Sequence, residues 1–226
     1  PSPSPNPDPN PNPNEVACEL SSIASLLRGV TQRSHRGLSA LFSSFSFVGV
    51  VDVKHVLLQH LTKLYVVHLG VLSQEFFAQQ VLRRWGNLGG IILSTPAPLE
   101  DLCLLALQDP RSGWAEADGA QLDLARDAAA LLAEKAEMLE EYVALRIDDG
   151  GLCSLPQLVD GYVPPLLGLP LFVWRLATQV DWSQEQPCFE GIARQLASFY
   201  RVDNLDTVHG SGAGGGEGGG EGGEGG

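Results

Sequence analysis

Apolar positions along this chain change period several times, and each change marks an element. Val16, Leu20, Ile23, Ala24 and Leu27 recur at helical spacing, and a shorter helical pattern follows at Leu38, Leu41 and Phe42. The stretches SFVGVVD (46–52) and KHVLLQHLTKLYVVHL (54–69) are rich in Val, Tyr and Phe and read as strands, the second folded into a hairpin near Leu61-Thr62. Ser73 is a candidate cap for a helix reaching about Trp85, with Phe76, Phe77, Val81, Leu82 and Trp85 expected to be buried and Gly86, Gly89 and Gly90 to end it. IILS (91–94) reads as a short, fully apolar strand.

Pro98 stands at the start of a further helix, where its missing N–H does little harm. Pro110, Ser112 and Gly113 make a loop. The longest helical run extends from Asp118 or Gly119 to Tyr142, with Leu122, Ala125, Ala129, Leu132, Ala136 and Leu139 as its apolar stripe and charges opposite. ALRIDDGGLCSLP (144–156) reads as two short strands around an Asp-Gly turn, and GYVPPLLGLP (161–170) as an extended Pro-rich crossing. LFVWRLATQV (171–180) fits strand or helix, and its Phe, Val and Trp content favours strand. Asp181 or Ser183 then starts a helix to about Tyr200 that places Phe189, Ile192, Leu196 and Phe199 on one face. This order predicts a mixed α/β fold with two lobes, residues 95–180 forming a lobe inserted into the first.

Composition sets the limits of that domain. Residues 1–14 alternate Pro mostly with Ser or Asn, and residues 206–226 are dominated by Gly with Glu; both segments lack the apolar side chains that offset ordering entropy and are expected to be disordered. The folded domain is therefore expected over 15–205. The formal net charge is −13, and basic residues are scattered apart from the pair Arg83-Arg84. Phosphate backbones are bound by clustered Lys and Arg, so this segment alone is a poor DNA binder. Cys18, Cys103, Cys153 and Cys188 form no CxxC or Cys/His ligand pair and read as free thiols in a reducing compartment. No signal peptide precedes them, and Val163 to Trp174, the most apolar stretch, is too short to span a bilayer and is broken by Pro. A soluble, intracellular chain with no membrane contact is expected.

The candidate chemistry is sparse. His55 and His60 lie five apart, which puts them on opposite faces of a strand and prevents joint chelation. His68 ends the hairpin, a better position, but Leu69, Gly70, Val71 and Leu72 offer it no fellow ligand. Glu134, Glu137, Glu140 and Glu141 read as a solvated helix face, and Asp148 and Asp149 as turn residues. GxSxG and P-loop motifs are absent, and the glycine run of the tail is low complexity rather than a phosphate loop. From the residues alone the chain is an acidic, non-enzymatic α/β domain.

A collinear set of segments goes further. SFVGVVD, QHLTKLYVVHL, LSQEFF, STPAPLEDLCLLAL, SGWAEADG, KAEMLEEY, LPQLVDGYVPPLLGLPLFVWRLATQVDW and CFEGIARQLASFY, over about residues 19–200, resemble the C-terminal domain of eukaryotic MutL-type mismatch repair proteins. Among these they are most similar to the Mlh-type subunit common to the MutL heterodimers. The resemblance implies a two-lobed fold, obligate pairing with a second MutL homologue, and a nuclear role in mismatch repair and meiotic recombination. It also implies docking of an exonuclease and other partners through short peptide motifs, and contact with DNA only through the full-length complex. No cofactor is expected on this segment: the family binds ATP on an N-terminal domain that this sequence does not contain. The family's closing segment, which ends in Cys, is also replaced after Tyr200 by RVDNLDTVHGSGAGGG.

In nicking members of that family the junction around LYVVHLGVLSQEFFAQQ resembles D-Q-H-A-x-x-E-x-x-x-x-E, whose acidic and His groups hold metal. Laid on that motif, His68 falls at the Asp, Leu69 at the Gln, Gly70 at the His, and Gln74 and Gln79 at the two Glu positions. Gly offers no ligand and neutral Gln is a weak one for a hard cation, so the resemblance implies a degenerate, non-nicking subunit. The expected function is a non-catalytic dimerisation and partner-docking domain. Its candidate apolar contacts are the hairpin and the last helix, including Phe189, Ile192, Leu196 and Phe199, residues that suit the chain's own core slightly better. The alternatives are a metal-dependent endonuclease using His68 with carboxylates not yet recognised, and an acidic scaffold unrelated to repair.

Overall fold

A computed structural model of the chain describes residues 20–202, so Val16, Cys18 and both expected disordered ends lie outside the described residues. The fold is mixed α/β with two small antiparallel sheets. α1 (Ser21–Gln32) and α2 (Arg36–Ser43) lead into β1 (Ser46–Val50), β2 (His55–His60) and β3 (Lys63–His68), which form the first sheet in that order. The hairpin turns where expected, with Leu61 at φ 54° and His60 paired with Lys63.

α3 (Leu69–Arg83) follows without a break and starts earlier than the Ser73 expected from sequence, because the ring of His68 caps it in place of a hydroxyl. Phe77, Val81, Leu82 and Trp85 are buried, whereas Phe76 is 44% exposed, a correction to the expected stripe: it lies one residue off the face that Phe77 and Val81 bury. β4 (Gly89–Pro98) is longer than the apolar IILS and pairs with β6 (Gly151–Gln157), which also pairs with the two-residue β5 (Ile147–Asp148). Between β5 and β6, Asp149 and Gly150 both have positive φ, 47° and 71°, the conformation that favours Asp-Gly in tight hairpins.

α4 (Leu99–Leu107) begins directly after Pro98. The expected long helix is two, α5 (Gln121–Glu134) and α6 (Ala136–Val143), divided at Lys135. Leu122 is exposed rather than buried. After the crossing, which is extended apart from a 3-10 turn at Leu166–Gly168, residues 171–180 are not a strand: they lie in α7 (Leu169–Gln179) and the residue that follows it. The physical reason is period. Leu169, Phe172, Val173 and Leu176 recur at i, i+3, i+4 and i+7, and all are buried, so a helix buries them together where a strand would turn alternate ones outward. α8 (Glu185–Tyr200) closes the described chain.

Two apolar clusters of unequal size result. The larger runs through α1, α3 to α8, β5 and β6, with Leu93 and Ala97 of β4 packed against it; the segment 95–180, expected as an inserted lobe, shares this cluster with α3 and α8. The smaller holds only Leu41, Val56 and Leu58 as buried members, with Tyr65, Val67 and Leu69 alongside. Arg84 ties α3 to the second sheet by donating to the carbonyls of Gln157 and Leu158, both at 3.2 Å. None of the described helices is long and apolar enough to cross a membrane.

Candidate functional site

The β3–α3 junction brings His68 to a helix N-terminus. Its Nδ1 accepts the N–H of Val71 at 3.3 Å, satisfying one of the donors that a helix start leaves unpaired. The hairpin register pairs His68 with His55, and the two rings meet edge to face with centroids 5.0 Å apart. The pairing was legible: a turn at Leu61-Thr62 that sets His60 against Lys63 also sets His55 against His68. His55 Nδ1 in turn contacts both carboxylate oxygens of Asp52, at 2.9 and 3.0 Å. Asp52 Oδ1 also accepts the backbone N–H of Lys54 and of His55, each at 2.8 Å, and these donors, the Lys54 amide foremost and then the His55 ring, hold its carboxyl below the usual range.

The remaining positions of the expected motif do not make a metal site. Gly70 is buried and contributes only its carbonyl, which accepts from Ser73 Oγ at 3.3 Å. Gln74 Oε1 accepts from Arg201 at 3.3 Å, and Gln79 is held between Glu75 (2.7 Å) and Arg83 (3.4 Å). A carboxamide that receives an arginine donor presents no negative charge to a divalent cation. Among the described residues no group of three or more His, Cys, Asp and Glu is placed to hold a metal ion. The donor set does not fit a nicking metal.

The four apolar residues singled out on the last helix lie inside the chain. Phe189 packs on Trp85 with centroids 4.7 Å apart, Phe199 stacks on Phe172 at 4.7 Å, and Ile192 and Leu196 are fully buried. As partner contacts they are corrected: a helix with these side chains in its own core has none of them left for a second protein.

The hairpin, the other candidate, differs. Val56, Leu58, Tyr65 and Val67 share one face of the first sheet and form the smaller cluster, while Leu57, Leu64 and Val66 lie on the opposite face. On that outer face Leu64 is 61% and Val66 63% exposed. At the β1 edge Phe47, paired with Leu58, is 60% exposed and Val50, paired with Val56, is 70% exposed. Large exposed apolar side chains are thus gathered on one small sheet. A second apolar feature is a groove of about 390 Å³ beside β4, lined by Ile91, Ile92, Leu155, Val163, Leu166 and Leu169. β4 is an edge strand there, paired on one side by β6.

The described cysteines, Cys103, Cys153 and Cys188, are free and buried. Burial pushes the Cys103 thiol up to about 12, which leaves it an inert core side chain.

Over 186 residues the chain is 37% identical to "DNA mismatch repair protein Mlh1" of Dictyostelium discoideum, covering 82% of this chain and 21% of that protein. It is 33% identical over 210 residues to "DNA mismatch repair protein MLH1" of Saccharomyces cerevisiae, covering 88% and 26% respectively. It is 31% identical over 186 residues to "Putative MutL protein homolog 1" of Schizosaccharomyces pombe, covering 80% and 26%. The chain thus spans between 21% and 26% of the length of these curated relatives. The family model described as "DNA mismatch repair protein Mlh1 C-terminus" matches residues 19–217, and the chain belongs to that family.

Proposed function

We propose that this domain is a non-catalytic heterodimerisation and partner-docking module of a MutL-type mismatch repair protein, acting in the nucleus in mismatch repair and in meiotic recombination. The observation that carries the dimerisation reading is the exposed apolar surface of the first sheet, Leu64 and Val66 on its outer face and Phe47 and Val50 at its edge. A second MutL homologue covering that surface removes it from water, a gain of about 25 cal/mol for each Å² of apolar area buried. The net charge of −13 supports contact with DNA only through the full-length complex. ATP belongs, on this reading, to the N-terminal domain of the longer protein, and this domain uses no cofactor.

Short peptide motifs of an exonuclease and other repair partners dock on the same domain in this reading. The groove beside β4 supports it: an extended segment can add to the open strand edge and place apolar side chains against Ile91, Leu155 and Leu169. The endonuclease alternative finds no donor set among the described residues, and family membership argues against an unrelated scaffold.

Co-expression with the C-terminal domain of a second MutL-type protein, followed by sizing, tests the dimerisation reading. A stable pair that Val66→Asp dissociates is the expected result. A strictly monomeric, folded product would count against it.

A further inference from the structure

The two clusters of this fold differ in more than size. The unit from Arg36 to His68 comprises α2 and β1–β3, and its buried side chains are Leu41, Val56 and Leu58 alone. Its packing against the rest of the fold is slight and centres on the junction where β3 enters α3. Chains below roughly 40 residues bury too little apolar area to offset their ordering entropy and fold only with a disulfide, a metal or an association partner. This unit contains no Cys, and none of its His and Asp residues belongs to a metal-holding group among the described residues. Association is what remains, and most of the large exposed apolar residues among the described residues lie on this unit.

Polar contacts do not change that balance. Ser44 Oγ and His60 Nδ1 meet at 3.3 Å, the Leu69 N–H donates to the Lys54 carbonyl at 2.7 Å, and Asp52 holds the β1–β2 turn. The Ser44 and Asp52 bonds are exposed to water, which competes for the same groups and leaves each a small net contribution. The larger cluster, by contrast, packs nine elements, α1, α3 to α8, β5 and β6, around side chains as fully enclosed as Trp85, Leu155, Ile192 and Tyr200.

We infer that the α2–β1–β2–β3 unit is a separate, weakly held cooperative element that opens in the isolated chain while the larger core stays folded, and that the partner closes it by covering its exposed apolar residues. The second half rests on the dimerisation reading; the first half does not. Segments with few buried contacts open at free energies far below the global value. Pairing through this element therefore carries an ordering cost, and partner affinity responds to mutations that touch no partner atom.

Hydrogen exchange on the full chain, alone and in the co-expressed pair, tests this. In the isolated chain the amides of β1–β3 are expected to exchange on the order of a hundredfold faster, or more, than those of β6 and α8. Leu58→Ala should remove the remaining protection of β1–β3 and leave α8 unchanged. Equal protection of β1–β3 and α8 in the isolated chain overturns the separate element. In the pair, protection should rise in β1–β3; a pair that forms without that rise overturns closure by the partner. If sizing shows no pair, the dimerisation reading falls and closure with it, while exchange in the isolated chain still decides whether the unit opens.

Discussion

The backbone N–H of Val202 donates to Ser73 Oγ at 3.1 Å, joining the segment beyond α8 to the second turn of α3. Ser73 is buried there, so its hydroxyl has no water to fall back on. Ser73→Ala leaves the Val202 amide without its partner and is expected to lower stability by about 1–2 kcal/mol. A urea titration should show a lower midpoint at unchanged slope.

His68 is a capping residue in this fold. His68→Ala should destabilise the chain by about 1 kcal/mol, the usual worth of an N-cap, through the lost bond to Val71. Manganese should neither shift thermal unfolding of the wild-type chain nor produce nicks in supercoiled DNA. Manganese-dependent nicking that disappears in the alanine variant would establish the nuclease reading instead.

Core and surface apolar residues should separate cleanly. Leu196 is fully enclosed, and Leu196→Ala is expected to cost 2–5 kcal/mol, roughly, through lost transfer energy and the cavity left behind. Val66→Asp, on the exposed sheet face, should leave the stability of the isolated chain within about 0.5 kcal/mol. The same change should weaken pairing with a second MutL-type domain at least about tenfold, or 1.4 kcal/mol, by setting a charge in an apolar contact. Denaturation and titration of the pair read the two effects apart.

The β1–β2 turn should be acid-sensitive. Backbone donation from Lys54, and then the His55 ring, depress the Asp52 carboxyl in the folded chain. A depressed acid contributes stability that is complete above its unfolded value, about 3.9, and is lost as pH falls through the folded one. The Lys54 and His55 amide resonances should therefore move below that pH. Asp52→Asn should remove this acid limb.

Thiol labelling offers a check on burial. Cys103, held up to about 12 by its enclosure, and Cys188, also raised by burial, should resist disulfide reagents at pH 8 in the native chain. Both should react on denaturation. Fast native labelling of Cys103 would contradict the placement of α4.

Much of this fold is legible where one local requirement dominates. Asp149-Gly150 allows a turn that other pairs resist, and Pro98 marks a helix start that α4 confirms. The α7 segment is misread when Phe, Val and Trp content outweighs the spacing of Leu169, Phe172, Val173 and Leu176. The start of α3 is missed because a His ring caps it, and propensity points to Ser73. Phe76 and Phe77 differ by one position on a helix, and only the packing of Phe77 on Tyr162 and Tyr200 decides which goes inside.

The candidate site divides in the same way. The identities of His68, Gly70, Gln74 and Gln79 already speak against a metal, but Arg201, the partner of Gln74, comes from chain far away in sequence. The amphipathic pattern of α8 says that Phe189, Ile192, Leu196 and Phe199 are covered and is silent on what covers them. Trp85 and Phe172 supply that answer only once the chain has folded.

Tyr200, the last residue of α8, is fully buried, and its hydroxyl donates to the carbonyl of Pro156 in β6. Pro156 is itself buried, so that carbonyl has no solvent to turn to. A premature stop only one codon short of this residue would remove a core side chain together with the donor for the central strand of the second sheet. Nonsense and frameshift lesions near the end of this domain should therefore reduce the amount of folded protein in the cell before any question of partner binding arises.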